Sequence, residues 1–85
     1  MTTAKELAQK AMDVFKRAEY FLDHNEREGA LVSYGRAVGY LQSIRIVQWN
    51  YPLEHLTRYK MALEDRIWPG AFTESSVNEE LQKQV

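Results

Sequence analysis

Cysteine is absent from this sequence of 85 residues, and no apolar run approaches the ~20 residues that a membrane-spanning helix needs. Without cysteine the chain forms no disulfide and lacks the commonest ligand of structural zinc, two supports that small domains often use. Helix packing and association with another molecule remain as sources of stability. Both absences predict a protein of the cytoplasm that does not contact a membrane.

Charge of one sign is also scarce. The 11 Lys and Arg residues nearly balance the 12 Asp and Glu residues, which gives a net charge of −1. This balance argues against a protein that binds nucleic acid by neutralising phosphates. The charges are unevenly distributed, because residues 29–53 carry only Arg36 and Arg45, whereas residues 71–85 carry three glutamates and one lysine.

The pattern of apolar residues predicts a first helix from Thr3 to about His24. Thr3 and Glu6 have the spacing of a capping box. The apolar residues that follow alternate in steps of four and three, which places them on one helix face. They are Leu7, Ala11, Val14, Ala18 and Phe21, with Ala8, Met12, Phe15 and Leu22 beside them. Asn25 and Glu28 repeat the capping-box spacing, so we expect Asn25 to cap a second, antiparallel helix.

The second predicted helix, from Gly29 to Trp49, is apolar around almost its whole circumference. The residues expected on its inward face are Ala30, Tyr34, Ala37, Leu41 and Ile44. The residues that flank this face are Leu31, Ser33, Val38, Tyr40, Val47 and Trp49. Val32, Gly39 and Ile46 recur in steps of seven along the back. A helix of this kind must be covered on several sides. In so short a chain we expect another molecule to supply part of the cover, which favours binding over catalysis.

Proline ends the second helix and begins the third. Pro52 suits the first turn of a helix, where its missing N–H costs nothing, and Pro69 with the glycine after it stops the helix near Trp68. The expected inward residues are Leu53, Leu56, Leu63 and Ile67, with Tyr59 and either Met61 or Ala62 at the edges. The residues expected in solvent are Arg58, Lys60, Glu64, Asp65 and Arg66.

The predicted architecture is all-α: a long antiparallel helical hairpin plus a third helix, together a three-helix bundle over residues 1–70. Residues 71–85 form either a polar tail or a short C-terminal helix. The short helix is an alternative because Ser76 and Glu79 have capping-box spacing ahead of Leu81.

The hairpin resembles known helical families. The run Arg17 to Leu22, followed by Ala30, Tyr34, Ala37 and the residues around them, is similar to a family of small archaeal helical-hairpin proteins. The spacing of Ala30, Tyr34 and Ala37 is also similar to the second helix of tetratricopeptide repeats and of microtubule-interacting and trafficking domains. The resemblance covers residues 14–44. It implies a helical hairpin that binds other proteins, and it transfers no catalytic residue.

No pattern of residues indicates a catalytic, metal or cofactor site. His24 and His55 have no metal-ligand spacing, and they are expected at a helix end and on the surface. The adjacent acids Glu64 and Asp65 cannot face each other on one helix. The glycines match neither of the phosphate-binding motifs GxxxxGK and GxGxxG. We therefore predict that the protein is not an enzyme and binds no cofactor.

A strip of small residues lies on the second helix, where Gly35, Gly39 and Ser43 follow one another in steps of four, next to Val32 and Ile46. Each glycine inside a helix costs about 0.8–1.0 kcal/mol relative to alanine. Such a strip lets another helix or a ring approach the backbone closely. Two kinds of cover fit this strip, which forms a notch in the helix surface. Either the third helix or the tail fills the notch with Trp68 or Phe72, or a partner molecule fills it.

The predicted function is protein–protein interaction, as a small adaptor, regulator or inhibitor that forms a homodimer through the second helix. Either a cellular adaptor or a viral inhibitor fits this description. The expected interface residues are Val32, Gly35, Gly39, Ser43, Ile46, Trp49, Tyr51 and Trp68. The alternative function is nucleic-acid binding, in which bases stack on the aromatic residues near Arg45 and Arg58. Trp and Tyr anchor protein interfaces more typically, so a protein partner is favoured.

Overall fold

Three α-helices account for most of residues 2–69, the part of the chain that the structure, a computed structural model, describes. The helices are α1 (Ala4–Asp23), α2 (Arg27–Val47) and α3 (Glu54–Ile67), and these residues include no strand. The predicted all-α fold is confirmed. Helices α1 and α2 pack along each other as an antiparallel hairpin, and α3 lies against α1 more than against α2. The predicted tail, residues 71–85, lies outside the described residues.

Helix α1 begins as the sequence predicts but is rotated relative to the predicted inward face. Thr3 is its N-cap, and the Thr3 hydroxyl oxygen accepts a hydrogen bond from the Glu6 amide at 3.2 Å. The prediction placed Val14 inward and Phe15 beside it, whereas Val14 is half-buried and Phe15 is fully buried. The buried residues of α1 are Ala4, Leu7, Ala11, Phe15 and Ala18. Phe15 takes the central position because its ring packs against the rings of Tyr34 and Tyr59, with centroids 6.5 and 6.0 Å away.

The turn between α1 and α2 corrects the predicted role of Asn25. Asn25 has a positive φ of 60° and follows the last residues of α1, so it does not cap α2. Its amide donates to the Leu22 carbonyl at 3.1 Å, and the Glu26 amide donates to the Phe21 carbonyl at 2.8 Å. This pair of bonds is a Schellman motif, in which a left-handed residue ends a helix. The N-cap of α2 is Glu26, without a side-chain capping bond.

Helix α2 buries one narrow face. Its buried residues are Ala30, Ser33, Ala37, Leu41 and Ile44. Tyr34, predicted to be inward, is half-buried, and Ser33, predicted at the edge, replaces it in the core. The helix ends two residues before the predicted Trp49, where the Gln48 amide bonds to the Ile44 carbonyl at 2.7 Å.

Helix α3 closes the core. Its N-cap is Leu53, so Pro52 precedes the helix instead of lying within its first turn. The predicted inward residues Leu53, Leu56, Leu63 and Ile67 are all buried. Glu64, predicted in solvent, is half-buried, and it accepts a hydrogen bond from Tyr34 of α2. Lys60 is half-buried with it and pairs with Glu64 at 2.9 Å.

Candidate interaction surface

One face of α2 points away from the rest of the described protein. Its residues are three, four or seven positions apart, so they share one face of the helix. This face lies opposite the buried residues of α2. We call it the outer strip: Val32, Gly35, Gly39, Ser43 and Ile46. Val32 is 57% exposed and Ile46 is 86% exposed, although both are aliphatic. The apolar circumference that the sequence predicts is therefore buried on one side and open on the other.

Space for another molecule is greatest at the two glycines. A Cβ atom added at Gly35 or at Gly39 would meet no heavy atom within 4 Å among residues 2–69, apart from the neighbouring turns of α2. Helix α3 therefore does not fill the notch. Trp68 packs instead against Tyr34, with ring centroids 5.4 Å apart and planes at 81°. Phe72, the other predicted occupant, lies outside the described residues.

The polar group of the outer strip is satisfied within the helix. The Ser43 hydroxyl donates to the Gly39 carbonyl at 3.1 Å, one turn earlier. Because this hydroxyl already has a partner, the strip can be covered by an apolar surface without losing a hydrogen bond. The strip therefore presents an apolar surface in chemical terms, despite its serine.

The C-terminal end of α2 extends this apolar surface. Val47 is 52% exposed and Trp49, just beyond the helix, is 77% exposed. Val47 was predicted beside the core, but it is the last residue of α2 and is exposed. The Arg45 guanidinium donates to the Trp49 carbonyl, which stabilises the turn that carries the Trp49 ring. Large exposed apolar side chains that are close together typically indicate an interaction site.

Two of the predicted interface residues lie elsewhere. Tyr51 is half-buried against the core, and its amide donates to the Gln48 carbonyl at 3.0 Å. Trp68 is half-buried against Tyr34. The remaining six predicted residues lie on the outer strip or, in the case of Trp49, just past the end of α2.

Polar contacts on the other side of the molecule hold α3 to the hairpin. The Tyr34 hydroxyl donates to Glu64, and the Tyr59 hydroxyl donates to Glu19 at 3.0 Å. Burial and the bonded carboxylates raise the pKa values of both phenols above their ordinary 10.0. Burial of Glu64 acts to raise its pKa, but the hydrogen bonds from Tyr34 and Lys60, with the Lys60 charge, outweigh it and lower the Glu64 pKa.

The charges in the alternative nucleic-acid site are already engaged. Arg58 pairs with Glu54 at 3.0 Å on the surface of α3. Arg45 bonds to the Trp49 carbonyl. A phosphate would have to compete with these partners, so the arginines and aromatic residues do not form a free basic platform.

Within residues 2–69, no three His, Asp or Glu side chains are grouped closely enough to hold a metal ion. His24 stacks on Tyr20 with ring centroids 4.1 Å apart, and its Nδ1 lies 2.8 Å from the Tyr20 carbonyl. This bond is local to the end of α1. His55 is exposed at the start of α3.

Comparisons of the chain with protein-family models, with curated proteins and with solved structures found no match. The resemblance of residues 14–44 to helical-hairpin families therefore stays a prediction. None of the three described helices combines the length and apolarity needed to cross a membrane.

Proposed function

We propose that this chain is a non-catalytic protein–protein interaction module, a small adaptor, regulator or inhibitor of the cytoplasm that forms a homodimer through the outer strip of α2. The observation that carries the proposal is the open, apolar state of the strip: Ile46 is 86% exposed, and the backbone at Gly35 and Gly39 is uncovered by other described elements. Burial of such a surface is the main favourable contribution to association.

The spacing of the outer strip is self-complementary. Val32 and Ile46 each lie seven residues from Gly39, and Gly35 and Ser43 each lie four residues from it. In an antiparallel pair of α2 helices centred on Gly39, Val32 of one copy would face Ile46 of the other at both ends. A two-fold interface needs this kind of matching, since the same patch contributes both halves. The glycines at the centre would let the two backbones approach closely.

The variant Gly39→Leu tests this proposal. In the monomer the added side chain enters open space, so the fold should persist and α2 should gain helix propensity, by up to about 1 kcal/mol. In the dimer the same side chain would overlap with the second copy. Sedimentation should therefore show a dimer for the wild type and a folded monomer for Gly39→Leu, with thermal melts recorded at matched concentrations.

A control separates the interface from a general effect of an added leucine. Gln9→Leu places a leucine at an exposed position of α1 and should leave the dimer intact. A monomeric wild type at high concentration would contradict the proposal. So would a Gly39→Leu variant that associates as tightly as the wild type.

Nucleic-acid binding remains the alternative proposal and has less support, because Arg58 is paired with Glu54 and the net charge is −1. A salt titration of any binding distinguishes the two functions. Phosphate contacts would give a steep decrease in affinity with added salt, whereas an apolar interface would change little.

A further inference from the structure

A groove of about 320 Å³ lies between α1 and α2, near the turn of the hairpin. Its lining includes Arg17 and Phe21 of α1 and Gly29, Val32 and Arg36 of α2. The Phe21 ring packs directly on the backbone of Gly29, which forms one wall. Among residues 2–69 none from α3 lines the groove, so the third helix leaves this side of the hairpin open.

Two arginines of the groove lack a partner in the described chain. Arginines elsewhere on the helices bond to carbonyl or carboxylate groups: Arg45, Arg58 and Arg66. Arg17 and Arg36 are exposed and form no ion pair or side-chain hydrogen bond within residues 2–69. Because a guanidinium matches the geometry of a carboxylate, both are available to bind one.

The lining also contains an acid, Glu28, and the two arginines with this glutamate give it a net charge of +1. Glu28 lies in the first turn of α2, where the free amides and the helix dipole favour a carboxylate. It is eight residues before Arg36, which is roughly 12 Å along the helix axis. The arginine end of the groove is therefore the positive end.

A hydroxyl group of the groove also lacks a partner. Ser33 lines the groove and is only 5% exposed, yet its hydroxyl forms no hydrogen bond within residues 2–69. Its oxygen is not sealed from solvent. The Ser43 hydroxyl, in contrast, bonds to the Gly39 carbonyl of its own helix. Buried polar groups are normally hydrogen-bonded, so we expect the Ser33 hydroxyl to bond a group that enters the groove.

We propose that this groove binds an acidic amphipathic helix of a partner protein. A glutamate or aspartate of that helix lies between Arg17 and Arg36 and accepts a hydrogen bond from the Ser33 hydroxyl. An apolar residue of the same helix packs on Phe21 and Val32. A helix suits the groove because the surface between two packed helices accepts the ridge of side chains of a third.

The inference rests on the proposed function in that the chain binds another protein, and it adds the chemical class of that partner. It does not rest on the homodimer. The groove shares Val32 with the outer strip, but the strip contains no charged residue. Binding that depends on charge therefore distinguishes the groove from the homodimer surface.

Titration of the isotope-labelled full chain, followed by nuclear magnetic resonance, tests the inference. Two designed helical peptides are the probes, with the same leucine stripe flanked by glutamates in one and by lysines in the other. The acidic peptide should shift the amide signals of Gly29, Ser33 and Arg36, and leave those of α3, such as Arg58, in place. The basic peptide should bind about tenfold more weakly or less. Gly39→Leu should give the same result, since position 39 does not line the groove.

Charge reversal tests the two arginines. Arg17→Glu combined with Arg36→Glu should weaken binding of the acidic peptide about tenfold or more and should make the basic peptide the tighter ligand. Lys16→Glu combined with Arg27→Glu is the matched control, because it makes the same change in net charge at exposed positions outside the groove. At about 0.15 M ionic strength the control should bind as the wild type does, since distant charges are screened.

Ser33→Ala tests the hydroxyl. The variant should bind the acidic peptide about tenfold more weakly, because the lost hydrogen bond has a charged acceptor. Its free energy of unfolding should not fall below that of the wild type, since the hydroxyl has no partner in the free chain and alanine is the better helix former. An affinity equal to that of the wild type would overturn the proposed role of Ser33.

The outcomes separate the groove from the homodimer. Equal affinities for the two peptides, or unshifted groove signals at millimolar acidic peptide, would overturn the inference even if Gly39→Leu disrupts a wild-type dimer. A single-stranded oligonucleotide that shifts the groove signals at lower concentrations than the acidic peptide would also overturn it. Selective binding of the acidic peptide by a chain that never dimerises would support the groove and refute the homodimer.

Discussion

Gly29 of α2 lies directly against the ring of Phe21 of α1. A Cβ atom added at position 29 would stand 2.9 Å from both Cγ and Cδ1 of that ring. The contact occurs near the turn of the hairpin, where the two helices must approach closely. It distinguishes Gly29 from Gly35 and Gly39, which have no such neighbour. Three glycines of one helix thus have two different physical roles.

Alanine substitutions should separate these roles. Gly29→Ala should destabilise the protein, because overpacking at the Phe21 ring costs about 1–3 kcal/mol and exceeds the gain in helix propensity. Gly35→Ala and Gly39→Ala should each stabilise the monomer by about 0.8–1.0 kcal/mol, since their added methyl groups enter open space. Urea denaturation at low concentration measures all three. A stabilised Gly29→Ala variant would contradict the close contact.

The left-handed backbone at Asn25 leads to a second prediction. Asn25→Ser and Asn25→Ala should each cost about 1 kcal/mol, because ordinary residues are strained at positive φ, whereas Asn25→Gly should be neutral or stabilising. An N-cap would respond differently, since serine caps a helix about as well as asparagine. Equal midpoints of urea denaturation for the wild type and Asn25→Ser would contradict this prediction and would indicate that Asn25 caps α2.

The sequence predicts the helices better than their rotation. Thr3, the apolar periodicity and Pro52 are local signals, and they gave the number and approximate ends of the helices. The orientation of α1 was ambiguous, because Val14 and Phe15 are adjacent apolar residues and either can begin an inward face. The choice depends on other helices: the Phe15 ring lies 6.5 Å from that of Tyr34 and 6.0 Å from that of Tyr59.

The outer strip could be predicted in position, since its members share one face at helical spacing. Beyond α2 the sequence did not indicate that Tyr51 and Trp68 are half-buried, because both lie just outside the helices, where no periodic pattern sets the direction of a side chain. The partnership of Tyr34 with Glu64 had no local signal, as the two residues are thirty positions apart. Such contacts become visible only once the packing of α3 on the hairpin is known.

Burial differs sharply between two aliphatic residues of α2, Leu41 in the core and Ile46 on the outer strip. Leu41→Ala should cost on the order of 2–5 kcal/mol through lost burial and the cavity it leaves. Ile46→Ala should leave the free energy of unfolding of the monomer within about 0.5 kcal/mol of the wild type. Urea denaturation of dilute samples makes the comparison. A neutral Leu41→Ala would mean that α2 is rotated relative to the structure.

The hydrogen bond from Tyr34 to Glu64 should make stability depend on pH at both extremes. The folded pKa of Glu64 is lowered from 4.5, so its stabilising contribution is present above pH 4.5 and decreases as the pH falls towards the folded pKa. The folded pKa of Tyr34 is raised from 10.0, so its contribution is present below pH 10.0 and decreases as the pH rises further.

Tyr34→Phe tests this dependence, because it removes the hydroxyl and retains the ring against Phe15 and Trp68. The variant should be less stable than the wild type by about 0.5–1.5 kcal/mol at neutral pH. This difference should shrink below pH 4.5 and above pH 10.0, where one partner changes its protonation in the unfolded chain.

Tyr40→Phe is the matched control, since Tyr40 is also half-buried and its hydroxyl has no hydrogen bond within residues 2–69. The measurement is the free energy of unfolding in urea across the pH range. A Tyr34→Phe difference that stays constant with pH, or one equal to that of Tyr40→Phe, would show that the bond to Glu64 does not hold α3 to the hairpin.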